Sequence, residues 1–174
     1  MIVVVAGVAG SGKTTVGQLL ARRLGWTFAD GDSFHPAANI AKMRAGLPLT
    51  DSDREPWLAA ITAWMDDIGA SGQSAVLACS ALKRRYRDEL LGGRDDAELV
   101  FLVISEADDQ ARLATRAGHF FHEPLMASQF ADLEMPKDER RVHLVTVGER
   151  PAGQIATEVM KLLDLTPEGR PQAS

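Results

Sequence analysis

Cysteine is almost absent from this chain: Cys79 is the only one in 174 residues. An intrachain disulfide is thereby excluded, and the thiol's place in the apolar run SAVLACSA (74–81) predicts a buried structural group in a reducing compartment. A basic excess is missing too. Lys and Arg number 19 against 24 Asp and Glu, so the net charge of −5 gives no support to a nucleic-acid partner. Small anions stay open, because a local cationic pocket does not need a basic protein. Long hydrophobic runs are also lacking. The opening MIVVVAG has no basic stretch before it and is too short to cross a bilayer, so it predicts a buried strand, no membrane partner and a cytoplasmic location. With no repeat or low-complexity tract, a chain that is 45% hydrophobic and 25% charged is expected to form one domain over residues 1–165, with a loose tail at 166–174.

Strand and helix patterns alternate. IVVVA (2–6) is β-branched without polar alternation, as a parallel strand covered on both faces should be. A glycine-rich turn leads into KTTVGQLLARRLG, whose Val16, Leu19, Leu20 and Leu24 share one face and whose Gly25 ends the helix. Further strands are expected at 26–30, 74–81, 97–104 and 141–147, and helices at 36–45, 84–91, 106–117 and 152–163. Another helix should start at a Ser52 or Asp53 cap, with Pro56 in its first turn and Trp57, Leu58, Ile61, Trp64, Met65 and Ile68 at helical spacing. Residues 118–130 mix loop and short helix. The alternation predicts an α/β fold with a parallel sheet between helical layers and right-handed crossovers.

The most specific motif is Gly7-Val8-Ala9-Gly10-Ser11-Gly12-Lys13-Thr14, a complete G-x-x-x-x-G-K-[ST] between a strand and a helix. Gly7, Gly10 and Gly12 let the backbone take positive φ and approach phosphate oxygens. The N–H groups and the helix N-terminus then face the anion, Lys13 reaches the β/γ-phosphates, and the Thr14 hydroxyl ligates Mg²⁺. This motif predicts binding of a nucleoside triphosphate.

The acceptor side begins at ADGD, where Asp30 and Asp32 fall at the carboxyl end of the second strand, the edge at which open α/β sheets bind ligands. Their i,i+2 spacing suits one carboxylate near the water shell of Mg²⁺ and one facing a hydroxyl that must lose a proton. Asp32 or Ser33 capping the following helix is the plainer alternative, and the two can hold together. Behind them His35, Asn39, Lys42 and Gly46 fall in one helical stripe, beside an apolar stripe of Ile40, Met43 and Leu47. Imidazole, amide and ammonium in a row suit hydroxyls and a carboxylate, although a solvated face would look similar. Lys83 and Arg87 are i,i+4 in CSALKRRYRD, with Leu82, Tyr86 and Leu90 as the packing face. Arg112 and Arg116, also i,i+4, precede the Gly118-bearing AGHFFH and can stabilise charge in phosphoryl transfer. His119 and His122 lack a third ligand nearby, which argues against zinc.

Taken together, GVAGSGKTT, DGDSFHPAANIAKMRAGLPLTDSDREPWL, CSALKRRYRD, RAGHFF and SQF resemble the gluconate kinases, P-loop small-molecule kinases related to shikimate and nucleoside monophosphate kinases. The resemblance runs from Gly7 to about Val147. It implies a three-layer P-loop NTP hydrolase fold with a five-stranded parallel sheet in the order 2-3-1-4-5, a small lid at about 117–135, and often a dimer. It also implies phosphorylation of D-gluconate at its 6-hydroxyl by ATP with Mg²⁺. Carried over by residue, Gly10, Ser11, Gly12, Lys13, Thr14 and Thr15 fall on the nucleotide loop and Asp32 on the acceptor carboxylate, with Asp30 supporting Mg²⁺ through water. His35, Asn39, Lys42, Arg54, Lys83, Arg87 and His119 fall on the sugar-acid site, and Arg112 and Arg116 on the lid. GERPAG (148–153), the adenine region in such kinases, matches less well. Other acceptors within the class are shikimate, another sugar acid or a nucleotide. A GTP switch would need N-K-x-D, which is absent, and DDIG (66–69) sits in an amphipathic helix. A non-catalytic ATP-binding regulator is the remaining alternative.

Overall fold

Five short strands pair side by side, every pair parallel, in the order β2-β3-β1-β4-β5. The structure is a computed structural model and describes residues 1–104 and 123–167. Along the chain lie β1 (Ile2–Ala6), α1 (Lys13–Leu24), β2 (Thr27–Asp30), a 3₁₀ turn (Gly31–Phe34), α2 (Ala37–Arg44) and α3 (Asp51–Ala70). They are followed by β3 (Ala75–Ala78), α4 (Arg84–Leu91), β4 (Ala97–Val103), α5 (Glu123–Ala131), β5 (Val142–Thr146) and α6 (Ala152–Leu162). The helix expected at 106–117 lies outside the described residues.

β1 is central, with Ile2 in register with Ala75 of β3 on one side and Ala97 of β4 on the other. All five β1 residues are buried, which is why the strand shows no polar alternation. Ile2, Val4 and Ala6 pack with Trp57, Ile61, Tyr86 and Leu90 beneath α3 and α4. Val3 and Val5 point the other way, into Val16, Leu20, Ile155 and Val159 of α1 and α6. The result is two apolar cores around one sheet, and the loops after β1, β2 and β3 gather at the sheet's carboxyl edge. Among the described residues no helix is long and apolar enough to cross a membrane.

Several boundaries differ from the sequence expectation for local reasons. α1 closes at Gly25 (φ 75°), and the Trp26 N–H bonds back to the Ala21 carbonyl at 2.9 Å, so β2 starts at Thr27 instead of Trp26. α3 starts at Asp51, not after Ser52 or Asp53. Its cap is Thr50, whose hydroxyl accepts from the Asp53 N–H while the Asp53 carboxylate accepts from the Thr50 N–H, a reciprocal capping box. Pro56 consequently falls in the second turn, where its missing N–H removes one bond at the exposed Ser52 carbonyl.

Candidate active site

The loop between β1 and α1 has the backbone that its glycines foretell, with Gly7, Gly10 and Gly12 at φ 140°, 81° and 92°. Gly12 immediately precedes α1 as its N-cap, with no side-chain cap bond, so the positive end of the helix dipole opens onto the loop. The Val8 carbonyl organises the loop's interior. It accepts from the Ser11 hydroxyl at 2.8 Å, the Ser11 N–H at 3.3 Å and the Lys13 ammonium at 2.7 Å. Lys13 is thus held folded over the loop it serves. Thr14 and Thr15 open α1 with exposed side chains.

Thr14 Oγ1 donates to Asp30 Oδ2 at 3.2 Å, joining the end of β2 to the phosphate loop. The other Asp30 oxygen accepts from the Asp32 N–H at 3.1 Å, and its carbonyl accepts from the Ser33 hydroxyl at 2.6 Å. Asp30 therefore caps the 3₁₀ turn, and the following helix, α2, starts from Pro36 with no side-chain cap, so neither Asp32 nor Ser33 caps it. The intervening glycine is required by space. A Cβ at Gly31 would stand 2.7 Å from the Ala78 carbonyl oxygen and 3.3 Å from Cys79 Cα. Asp32 keeps an exposed surface, yet protein density around its carboxyl group raises its pKa. The Asp30 carboxylate raises it further, and Lys13 opposes both. Burial pushes the nearby Cys79 thiol up to about 12, as expected for a structural cysteine.

His35, Asn39 and Lys42 do come together, but on α3 rather than along an open stripe. The buried Asn39 amide donates to the Asp53 carbonyl at 2.6 Å and lies 3.3 Å from His35 Nδ1. Lys42 holds both Asp53 carboxylate oxygens at 2.7 and 2.9 Å. His35 stacks on Trp57 with ring centroids 4.7 Å apart, and the Trp57 indole N–H donates to the Gly31 carbonyl at 2.7 Å. Burial, helped by Arg54, lowers the His35 pKa to about 4, so the ring is neutral near pH 7. α2 thus fixes the start of α3, and α3 fixes the turn that carries Asp32.

A cation cluster lies at the starts of α3 and α4. Lys83 Nζ is 2.9 Å from Asp51 and 3.3 Å from Asp132, and Arg54 is 3.3 Å from Asp132. Tyr86 donates a short hydrogen bond to Asp51, and the guanidinium of Arg54 sits 5.7 Å from the Tyr86 ring centre. Tyr86, then Lys83, hold the Asp51 carboxyl down at about 2.

Arg87 corrects the sequence reading, because it does not join that cluster. Its side chain is 1% exposed and pairs with Glu139, Nε and Nη2 each donating at 2.7 Å. Nη1 donates to the Ala81 and Leu82 carbonyls at 3.1 and 2.7 Å. Arg87 clamps the turn before Lys83, in which Ala81 has a φ of 41°. One helical turn after Lys83, it lies on α4's inner face with Leu90 instead of its rim. Arg112, Arg116 and His119 lie outside the described residues. Of the residues not assigned to the site from the sequence, Asp53, read there only as a helix cap, had a signal in the Thr50-to-Asp53 capping spacing. Asp51, Asp132 and Glu139 had none, since their partners are remote.

The shikimate kinase family profile matches residues 9–164. The gluconokinase of Gluconobacter oxydans is 46% identical over 158 residues, covering 91% of this chain and 88% of that protein. The thermoresistant gluconokinase of Escherichia coli is 37% identical, covering 91% of each. The crystal structure of a gluconokinase from Sinorhizobium meliloti superposes with a TM-score of 0.84 at 43% identity, over 93% of this chain and 90% of that one. A P-loop that folds Lys13 inward, an aspartate-bearing turn beside it and these relatives across most of the chain lead to one assignment: the chain is a kinase of the gluconokinase family, within the shikimate kinase-type P-loop enzymes.

Proposed function

We propose that the protein transfers the γ-phosphoryl group of ATP to the 6-hydroxyl of D-gluconate, giving 6-phospho-D-gluconate and ADP. The observation that carries this reading is the juxtaposition of Asp32 with Lys13 at one edge of the sheet, with Arg54 and Lys83 on the acceptor side. The bond from O6 to phosphorus forms as the bond to the β,γ-bridging oxygen breaks, and the O6 proton passes to Asp32. Protein crowding around its carboxyl group, with the Asp30 carboxylate beside it, makes Asp32 a better proton acceptor than an ordinary aspartate. Lys13 and the loop amides take up charge on the transferred group. The cations near Tyr86 match the acid's carboxylate, and neutral His35 with Asn39 matches hydroxyls.

Thr14 and Asp30 offer hard oxygen donors side by side, a set that fits Mg²⁺ held by few protein groups plus phosphate and water. Bound there, the ion would neutralise charge between the β- and γ-phosphates. Arg112, Arg116 and His119 join this reading from the sequence pattern, the two arginines over the nucleotide. The same reading puts a homodimer in the cytoplasm, on the strength of the family likeness.

The test is coupled ADP release with Mg-ATP and a panel of D-gluconate, other aldonates, shikimate and nucleoside monophosphates. Turnover should depend on gluconate, and Asp32→Asn should lower it about 10²-fold or more with the fold intact. ATP-binding protein with no gluconate-dependent release would sink the acceptor, and wild-type turnover in folded Asp32→Asn would sink the base.

A further inference from the structure

Two contacts tie the end of α5 to both halves of the site. Gln129 Oε1 accepts from the Ala9 N–H of the phosphate loop at 2.6 Å, across 120 residues of sequence. Asp132, just past the helix, reaches Arg54 and Lys83 at 3.3 Å each. The Asp132 N–H still bonds the Ser128 carbonyl at 2.9 Å, so Gln129 and Asp132 sit three apart on one helical turn and move together. Beyond them Glu134 anchors the strand of chain, accepting from the Arg84 N–H at 2.7 Å and donating its own N–H to the Leu82 carbonyl at 3.1 Å. Phe130 and Leu133 pack on the core.

We propose that Gln129 and Asp132 are positioning residues that couple the nucleotide and acceptor sites, a carboxylate-bearing acceptor exchanging with Asp132 at Arg54 and Lys83 and so shifting Gln129's hold on the phosphate loop. The inference rests on the gluconate reading above. Charge explains the exchange. Arg54 and Lys83 are met by Asp51 and Asp132, so an incoming carboxylate must replace one of them. Asp132 is the one that leaves. Its contacts are longer than the 2.9 Å Lys83–Asp51 bond, and they exceed the usual distance of a strong charge-assisted hydrogen bond, whereas Asp51 is also held by Tyr86 and Arg85. With Glu134 fixed beyond it, a displaced Asp132 moves the turn that bears Gln129.

The experiment is calorimetric titration of the full chain with a non-hydrolysable ATP analogue, with and without D-gluconate, and of gluconate with and without the analogue. The unsubstituted protein should show reciprocal coupling of about fivefold or more. Asp132→Asn should bind gluconate about twofold to fivefold more tightly, the effect of removing a partly exposed competing ion pair. Coupling should fall to within about twofold of unity in both Asp132→Asn and Gln129→Met, the range expected once a coupling contact is gone. Gln129→Met should leave gluconate affinity without nucleotide unchanged, and Asp132→Glu should restore coupling. Should Asp132→Asn not fold, the Gln129→Met and Asp132→Glu pair decides alone. Gluconate binding with no coupling in the unsubstituted protein, or with coupling that survives Gln129→Met, overturns this inference only. An unsubstituted protein that binds the analogue but no gluconate overturns the acceptor reading and this inference with it.

Discussion

Glu139→Gln separates a structural role for Arg87 from the binding role its sequence position suggested. The change keeps the side chain's size and removes its charge. Arg87 and Glu139 are 1% and 6% exposed, and the guanidinium uses four of its five N–H donors, two on Glu139 and two on the Ala81 and Leu82 carbonyls. Taking one partner from a pair this buried leaves an uncompensated charge and costs about 3–5 kcal/mol. For a chain of this size each kcal/mol moves the melting temperature by about 2–4 °C, so a fall on the order of 10 °C is expected. Urea unfolding followed by tryptophan fluorescence, with Trp57 buried beside the site, measures the loss directly. The acceptor KM, measured at low temperature where the variant stays folded, should stay within about twofold, since activity depends on this pair only through the fold. The double variant Arg87→Met/Glu139→Leu should recover part of the stability, because the apolar pair leaves no unpaired charge but takes the guanidinium donors from the Ala81 and Leu82 carbonyls. A loss below about 1 kcal/mol accompanied by a raised acceptor KM would refute the reasoning and return Arg87 to the substrate site.

Gly31→Ala should cost about 1–3 kcal/mol and reduce turnover, because the new methyl group meets backbone at the end of β3 and shifts the neighbouring Asp32. Gly153→Ala meets only the tip of Arg23 and serves as the control, with urea midpoints and kcat compared for both. Thr50→Ala removes the hydroxyl half of the capping box, leaving the backbone N–H at position 50 on the Asp53 carboxylate, and should cost about 1 kcal/mol, seen as a lower urea midpoint that Thr50→Ser largely restores. Acid should act in two stages. His35 is depressed from 6.5 to about 4, so the unfolded chain takes up a proton that the folded one refuses, and stability falls as pH drops from about 6.5 to 4. Asp51 and Asp53, both held at about 2, add a second loss below the ordinary carboxylate pKa near 3.8. Urea midpoints between pH 7 and 3 check this, and His35→Asn should flatten only the upper stage.

Local chemistry was legible in the sequence wherever a residue's partner lies close by. β1 and α4 run over 2–6 and 84–91 as their patterns indicate, and Gly25 stops α1 because only a left-handed residue closes that helix cheaply. The phosphate loop was legible for the same reason, its glycines, lysine and threonine acting within eight positions. What stayed hidden depends on distant partners. Nothing near Arg87 announces Glu139, 52 residues on, and nothing near Lys42 tells that its ammonium closes on Asp53 from another helix. Asp30-Gly31-Asp32 could be read as two carboxylates around a turn. That the glycine is there for the backbone of β3 needs the sheet to be assembled first.

Cys79 has a practical consequence. Its sulfur is enclosed at the end of the same strand that crowds Gly31, and its thiol is held protonated far above neutral pH. A thiol reagent can therefore modify the native protein only through openings that breach the floor beneath the acceptor aspartates. With one thiol in the chain, each label taken up reports such an opening, and the labelling rate reads out the free energy of local exposure without any introduced probe. Slower labelling with a nucleotide or sugar acid present would turn the same sulfur into a gauge of how tightly each ligand seals the floor.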